Sequence, residues 1–551
     1  MKKYIYIFLT ISLLFSCDKD FLEEKPEDFL SSANAFTTYE DFLASVNNLY
    51  FLYRRQYFSR DENRPFDFIY GTDIVFDGQR STQRHSNMVA AYDPVAEIPR
   101  VHWNLLFKTI SEANAVIDQV EQSNLTDDQK TDILSQARFF RAISYRSLAY
   151  LYGGVPLVLE QLTAPKTDFT RNTKEEVLNQ VLEDLNYAKD NLPSIEEAAD
   201  GRVNSLAAYH LLAEVYLAVN RPQDAVAAAT VVINNPATAL MTTRFGSRAN
   251  EEPGDVYWDL FRKNNQNRSS GNTEAIWVIQ FETDVLGGGT TSTGRGGSYM
   301  LERHHGTFMR DLRVDGDRPF SWPIGDYTAG RGIGWAISTR HFSNTIWETD
   351  FDSDIRNAGH NFVREFTSTN PNSPLFGQVI STENPPEGVE VPSRTFYAYQ
   401  SKCTTPFNHP DGLYANPETY QLTNAAGATY TDQYMFRLAE TYLLRAEAYL
   451  MAGNLTDAAA DINTVRARSN ATPVAASNVD MDYILDERMR ELGIEEKRRL
   501  TLMRTGLLYD RVLRFNPYYA DEIQEHYNLW PIPANEIERN KDGNLEQNPG
   551  Y

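Results

Sequence analysis

Cysteine is nearly missing from this chain, with two in 551 residues, at positions 17 and 403. Once Cys17 is modified, as expected below, no intrachain disulfide can form, so stability must come from packing, and Cys403 reads as an inert core residue. No apolar run reaches the roughly 20 residues that a spanning helix needs. Catalytic and cofactor signatures are also missing. The nine histidines form no H-E-x-x-H, there is no G-x-S-x-G elbow, and the glycines from Gly287 to Gly297 are not followed by the Gly-Lys-Ser/Thr of a phosphate loop. That stretch reads as a flexible loop. Positive charge is short as well: 52 Lys and Arg face 75 Asp and Glu, for a net charge of −23. Because the acidic residues are spread along the whole chain, nucleic acid is a poor partner.

What is present begins with a leader. Met1-Lys2-Lys3, an apolar stretch from Tyr4 to Phe15, then Ser16-Cys17 is the layout of a secretory signal, and residues 1–16 are expected to be removed. The chain turns polar at once with Asp18, Lys19 and Asp20. Leu14-Phe15-Ser16-Cys17 resembles a bacterial lipobox, with Phe15 departing from the usual small residue. Cys17 is therefore expected to carry acyl chains that anchor the protein to an outer membrane, and the acidic residues after it resemble the surface-export signals of Bacteroidetes lipoproteins. Loss of Lys2 and Lys3 leaves a net charge of −25.

The remaining chain, about 535 residues, exceeds what one simple core organises, so a repeat framework is expected. Helix periodicity dominates residues 103–236: Leu105, Leu106, Ile110, Ala113, Val116, Ile117 and Val120 mark one stripe, and Phe139, Phe140, Ile143, Leu148 and Leu151 another. Gly153-Gly154 before Pro156 is a helix stop. Ala213-Glu214-Val215-Tyr216-Leu217, then Asn220 and Asp224-Ala225, recurs as Ala446-Glu447-Ala448-Tyr449-Leu450, then Gly453 and Asp457-Ala458, every pair offset by 233 without a gap. A helix, a tight turn and a second helix starting at Asp-Ala is the layout of a tetratricopeptide unit; a looser copy centres on Ala137–Leu151. The spacing thus predicts a mainly α fold, with tetratricopeptide-type helices over 103–236 and 433–515. Between them, about residues 237–432, Gly, Thr, Asn and Pro clusters predict a large loop-rich insertion within a single domain spanning 17–551.

The chain's end, Leu529-Trp530-Pro531-Ile532-Pro533, then Glu536 and Asn544-Leu545-Glu546-Gln547-Asn548-Pro549-Gly550-Tyr551, resembles the terminal signature of the SusD/RagB family of glycan-uptake lipoproteins. Trp103–Asn114, Ala137–Pro156, Gly201-Arg202-Val203-Asn204 and the block Glu487-Arg488-Met489-Arg490-Glu491-Leu492 with Arg498, Arg499 and Met503-Arg504 match in order. Two positions depart: Glu496 stands where Gly is common and Thr501 where Asp is common. The resemblance implies a scaffold of tetratricopeptide pairs, docked as a lid on a SusC-like TonB-dependent transporter. It also implies capture of oligosaccharides by loops outside the repeats, without catalysis.

A sugar ring offers an apolar CH face and a rim of hydroxyls, so a site for it needs exposed aromatic plates beside Asp, Asn or Arg. Two segments hold that mixture, residues 66–92 and 320–347, and they are expected to meet. Asp73, Phe76 and Arg80 in the first, and Trp322, Tyr327 and Trp335 in the second, are the candidate glycan contacts. Trp103, Trp277 and Trp530 sit in helical or apolar patterns and are assigned to packing. Asp350, Asp352 and Asp354 alternate like a calcium loop but lack its Gly and bidentate Glu, and Asp311, Asp315 and Asp317 are equally weak. No metal and no cofactor is expected, and His304-His305 reads as surface. Two other functions remain open: a glycoside hydrolase, which needs paired carboxylates about 5 to 9 Å apart, and a repeat scaffold that binds only protein.

Overall fold

A computed structural model describes residues 36–59, 63–79, 85–285, 288–292 and 299–551. Residues 1–16, Cys17, Arg80 and part of the Gly287–Gly297 stretch lie outside them. Among the described residues, eleven helices have eight or more residues: α1 (Tyr39–Tyr57), α2 (Glu97–Gln122), α3 (Asp127–Tyr152), α4 (Lys174–Asn191), α5 (Ser205–Ala218), α6 (Pro222–Ile233), α7 (Leu438–Met451), α8 (Leu455–Arg468), α9 (Met481–Glu491), α10 (Arg498–Thr505) and α11 (Leu508–Phe515). Their starts are written locally. Thr38, Thr126 and Thr173 each cap a helix through the hydroxyl and donate their own backbone N–H in return to the side chains of Asp41, Gln129 and Glu176, which satisfies otherwise orphaned backbone N–H groups.

The helices stack in sequence, α1 on α2 and α3, then each of α2 to α6 on the next. After α6 the chain leaves for about 200 residues, and α7 returns to pack directly on α6. The 233-residue offset holds in the structure: α5 and α7 start at Ser205 and Leu438, and α6 and α8 at Pro222 and Leu455. The turns match as well. Asn220 and Gly453 both have positive φ, 56° and 76°, a region that Gly and Asn tolerate best. Residues 237–432 carry only short elements among the described residues, helices of five residues or fewer and strands of two to five. Their return is secured by antiparallel pairing of Ala275–Ile279 with Gln433–Arg437.

Helix α3 is the axis of the core. From Ala137 to Tyr152 nearly every residue is buried, including Arg141 and Arg146. Each arginine is neutralised from the next layers: Arg141 Nε bonds Asp184 at 2.8 Å, and Arg146 Nη2 bonds Glu214 at 2.6 Å. Trp103, Trp277 and Trp530 are buried, as the patterns around them implied, and so is Cys403.

The Glu487–Leu492 block forms the hub of a buried ionic network between α8, α9 and the loop region. Glu487 receives Arg356, Arg466 and Arg490, while Glu491 receives Arg356, Arg437 and Arg468. The two departures in this block explain one another. Arg488 Nε donates to Glu496 at 2.7 Å, and Thr501 donates to the same carboxylate at 2.8 Å. Glu496 thus supplies a negative charge that pairs with Arg488, with the Thr501 hydroxyl as a second donor.

Lys497 is the odd cation of this region. Its Nζ lies 4.0 Å from the Phe58 ring centroid and 5.2 Å from that of Tyr299, and burial pulls its pKa down to about 7. Its folded pKa is below its unfolded value. The stability it allows is therefore full above the unfolded pKa and is lost as pH falls towards 7, at about 1.4 kcal/mol per pKa unit. Melting curves of the protein and of Lys497→Met at pH 7 and pH 9.5 should converge in part as pH rises; a gap independent of pH would contradict this.

Candidate functional site

The two nominated segments do meet, through their backbones. Val75–Asp77 pairs antiparallel with Ala336–Ser338, setting Phe76 opposite Ile337, and Gly78 N donates to Trp335 O at 2.8 Å. The pairing buries most of the first segment. Asp73 is wholly buried and receives Arg498 through Nε at 2.8 Å and Nη2 at 2.7 Å, and Arg511 Nε at 2.8 Å. Burial alone would raise its pKa, but these guanidiniums hold the carboxyl well below the usual range. Phe76 is 3% exposed and stacks on Tyr518 at 3.4 Å between ring centroids. Asp73 and Phe76 are therefore parts of the frame rather than contacts for a ligand from solvent, a correction to the sequence reading, and Arg80 lies outside the described residues. Alternating aromatic and acidic residues in that segment suggested a surface. Three arginines more than 400 positions away cover it instead: Arg498 and Arg511 on Asp73, and Arg499 on the carbonyls of Asp67 and Tyr70.

The second segment keeps its rings nearer to solvent: Trp322, Tyr327 and Trp335 are all half-buried. Trp322 and Trp335 hang on one ribbon. Ile333 N, Gly334 N and Trp335 N donate to Arg303 O, Gly306 O and His304 O at 2.9, 2.8 and 3.0 Å. The two strands of chain run so close that a Cβ on Gly332 would fall 2.3 Å from the backbone of Gly306, so only glycine fits there. Trp322 Nε1 donates to Gly332 O at 3.3 Å, and its ring meets Phe308 edge-on at 5.6 Å. Guanidiniums flank these rings: Arg310 at 5.6 Å and Arg331 at 5.3 Å from Trp322, and Arg303 at 5.3 Å from Trp335. Tyr327 belongs to a different cluster, between Trp258 at 5.8 Å and Phe407 at 5.6 Å.

Glu302, buried, ties the two clusters together. Its carboxylate accepts from Arg331 N at 3.1 Å, Thr404 Oγ1 at 2.6 Å and His409 Nε2 at 2.8 Å. His304 and His305 are buried, not at the surface. His304 stacks on Phe66 at 3.7 Å and bonds the Tyr70 hydroxyl at 2.9 Å. Burial pushes the His304 pKa well down, and that of His305 to about 4, so both are neutral core groups.

Two of the three alternating aspartates are taken up by ion pairs, Asp350 receiving Arg466 at 2.6 Å and Asp354 receiving Arg356 at 2.7 Å, while Asp352 is exposed. Among the described residues no group of three or more His, Cys, Asp or Glu is placed to hold a metal, and no helix is long and apolar enough to cross a membrane. A cleft of about 420 Å³ lies elsewhere, between α2 and the C-terminal segment. Phe107, Phe169 and Leu545 line it, with Lys108, Glu160 and Arg539 also on its wall, and it contains none of the nominated residues.

The model of the SusD family matches residues 273–551, and a model described as "Starch-binding associating with outer membrane" matches residues 20–217. SusD-like protein P25 of Formosa agariphila is 24% identical over 97% of this chain and 96% of its own length. Among solved structures, a laminarin-binding SusD-like protein superposes with a TM-score of 0.67 at 22% identity, covering 94% of this chain and 100% of that one. Surface glycan-binding protein A of Bacteroides thetaiotaomicron, in complex with laminarihexaose, superposes with a TM-score of 0.65 at 18% identity, covering 92% and 99%. With family models accounting for both its halves and solved relatives following it almost end to end, this chain belongs to the SusD family.

Proposed function

We propose that this protein captures oligosaccharides at the cell surface and delivers them, unmodified, to a SusC-like TonB-dependent transporter. In this reading residues 1–16 are removed, and acyl chains on Cys17 hold the mature protein to the outer membrane. The single observation that carries glycan capture is the set of half-exposed rings held on rigid backbone outside the repeats, beside guanidinium donors. A pyranose stacked on Trp322 or Trp335 in place of a guanidinium lying over the ring would keep its hydroxyls within reach of Arg303, Arg310 or Arg331. Each ring is worth about 0.5–1.5 kcal/mol beyond area burial and each hydrogen bond about 1 kcal/mol net, a sum that suits roughly micromolar to millimolar affinity. A capture protein works well there, because an adjoining transporter removes the ligand.

The test is an affinity-gel screen over neutral and acidic polysaccharides, followed by calorimetry on the glycan retained. Trp322→Ala and Trp335→Ala are each expected to weaken binding about 2- to 10-fold, following the ring-stacking range above, with the melting temperature little changed. Affinity unaltered in both would remove these two rings from the site. Release of reducing sugar from the same glycan would replace the capture reading with a hydrolase.

A further inference from the structure

We infer that Phe407 and Tyr420 form a second sugar-stacking surface, for a neutral glycan, on the chain between Thr404 and Thr423. The inference rests on the glycan-capture reading above and names a subsite of it.

Both rings are exposed, Phe407 at 39% and Tyr420 at 38%. They meet edge-to-face, centroids 4.8 Å apart and planes at 75°. Both sit on left-handed backbone, with φ of 62° and 55°. For a bulky side chain that conformation is a true outlier, which Gly or Asn would adopt at lower cost. A fully buried ring would offset the cost through packing, whereas rings left more than a third exposed offset it only in part. Packing accounts for these aromatic residues only in part, and an apolar ligand face covering the exposed remainder would account for the rest.

The surface is built rather than loose. Phe407 N donates to Gly325 O at 2.6 Å, and Gly325 N donates to Tyr420 O at 2.8 Å, so one residue of the 320–335 ribbon holds both backbones. Tyr327 meets the Phe407 ring edge-on at 5.6 Å, and Tyr414 lies 6.4 Å from Tyr420, extending the aromatic surface on either side. Beneath it, His409 is fixed by Glu302 at 2.8 Å. No cation lies over either ring among the described residues, in contrast to Trp322 and Trp335. From Thr404 to Thr423 the chain carries Asp411 and Glu418, both exposed, and no Lys or Arg. Exposed Asn416 and half-exposed Asn408 supply amides for hydroxyls. The neighbouring cation, Arg248, is buried, donates to Pro406 O at 2.6 Å and is paired with Glu251, so the exposed carboxylates and amides beside these rings suit uncharged pyranoses and repel sulfated or uronate chains.

The experiment uses the mature chain, with Phe407→Ala, Tyr420→Ala, the double variant, and Phe407→Gly. Soluble starch and laminarin serve as neutral probes, and alginate and polygalacturonate as acidic ones, first in affinity gels and then by calorimetry. The double variant should lose about 4- to 100-fold in affinity for a neutral glycan that the parent retains, while Phe407→Gly should melt no lower than the parent. Loss of affinity without loss of stability is what a merely structural ring would not produce. Equal affinity in parent and double variant, retention of acidic glycans alone, or weakened transporter association with glycan affinity intact would each overturn the subsite. All three would leave glycan capture standing. If the parent retains no polysaccharide of a broad panel, the capture reading itself fails, and the subsite with it.

Discussion

Glu491→Gln is expected to destabilise the protein by about 3–5 kcal/mol, the range for breaking a buried ion pair from one side. Glu491 is wholly buried and accepts from Arg437 at 2.5 Å, from Arg356 at 3.0 Å and from Arg468. Burial by itself would favour the neutral acid, but the three guanidiniums hold its pKa well below the ordinary value. Glutamine keeps the shape and removes the charge. Arg437 retains Glu495 at 2.7 Å and Arg468 retains Glu274 at 2.5 Å, so the cations stay in place without full compensation. Against a typical total stability of about 5–15 kcal/mol, such a loss is large. The same carboxylate should make the fold sensitive to acid. Because its folded pKa is depressed, its contribution is full above the unfolded carboxylate range and declines as pH falls through that range. Denaturant unfolding of Glu491→Gln beside Glu112→Gln, which breaks the exposed pair with Lys108, checks the contrast. The exposed pair should cost no more than about 1 kcal/mol. Two variants of equal stability would show that the network relaxes around the loss.

The second large effect is expected at Asp73, where asparagine should also cost about 3–5 kcal/mol while leaving glycan affinity per folded molecule unchanged. Arg498 and Arg511 converge on this carboxylate from α10 and α11, and Arg511 reaches Asp482 and Asp486 as well. The bridge clamps the chain before the Val75–Asp77 strand to the C-terminal helices. Calorimetric affinity and thermal unfolding measured on one sample separate the two roles. If Asp73→Asn lost affinity while keeping its melting temperature, Asp73 would return to the binding site.

Periodic features were legible from residues alone for a simple reason. A stripe at three-to-four spacing specifies a helix and its buried face without reference to any partner, and the recurrence at offset 233 exposed the repeat before any helix was placed. The same signal is present in α1, where Phe42, Val46, Leu49 and Tyr53 are all buried at that spacing, behind the Thr38–Asp41 capping box. Surface exposure was not legible in this way. Phe76 and Phe407 are both aromatic residues among polar neighbours. One lies under Tyr518, about 440 positions away, and the other reaches solvent on a backbone turned by Gly325. His304-His305 likewise looked like surface until Phe66, Tyr70 and Gln400 closed over it.

Local composition by itself therefore determined the helices, their caps, the repeat and the family, because each depends on interactions a few residues long or on motifs read in order. Tertiary structure alone decided which charges are neutralised in the core and which rings face water. Those outcomes depend on long-range partners: Arg498 for Asp73, Arg437 for Glu491, Gly325 for Phe407 and Tyr420. Burial turns a carboxylate from a candidate ligand into half of an ion pair, and that change happens only when the distant half arrives.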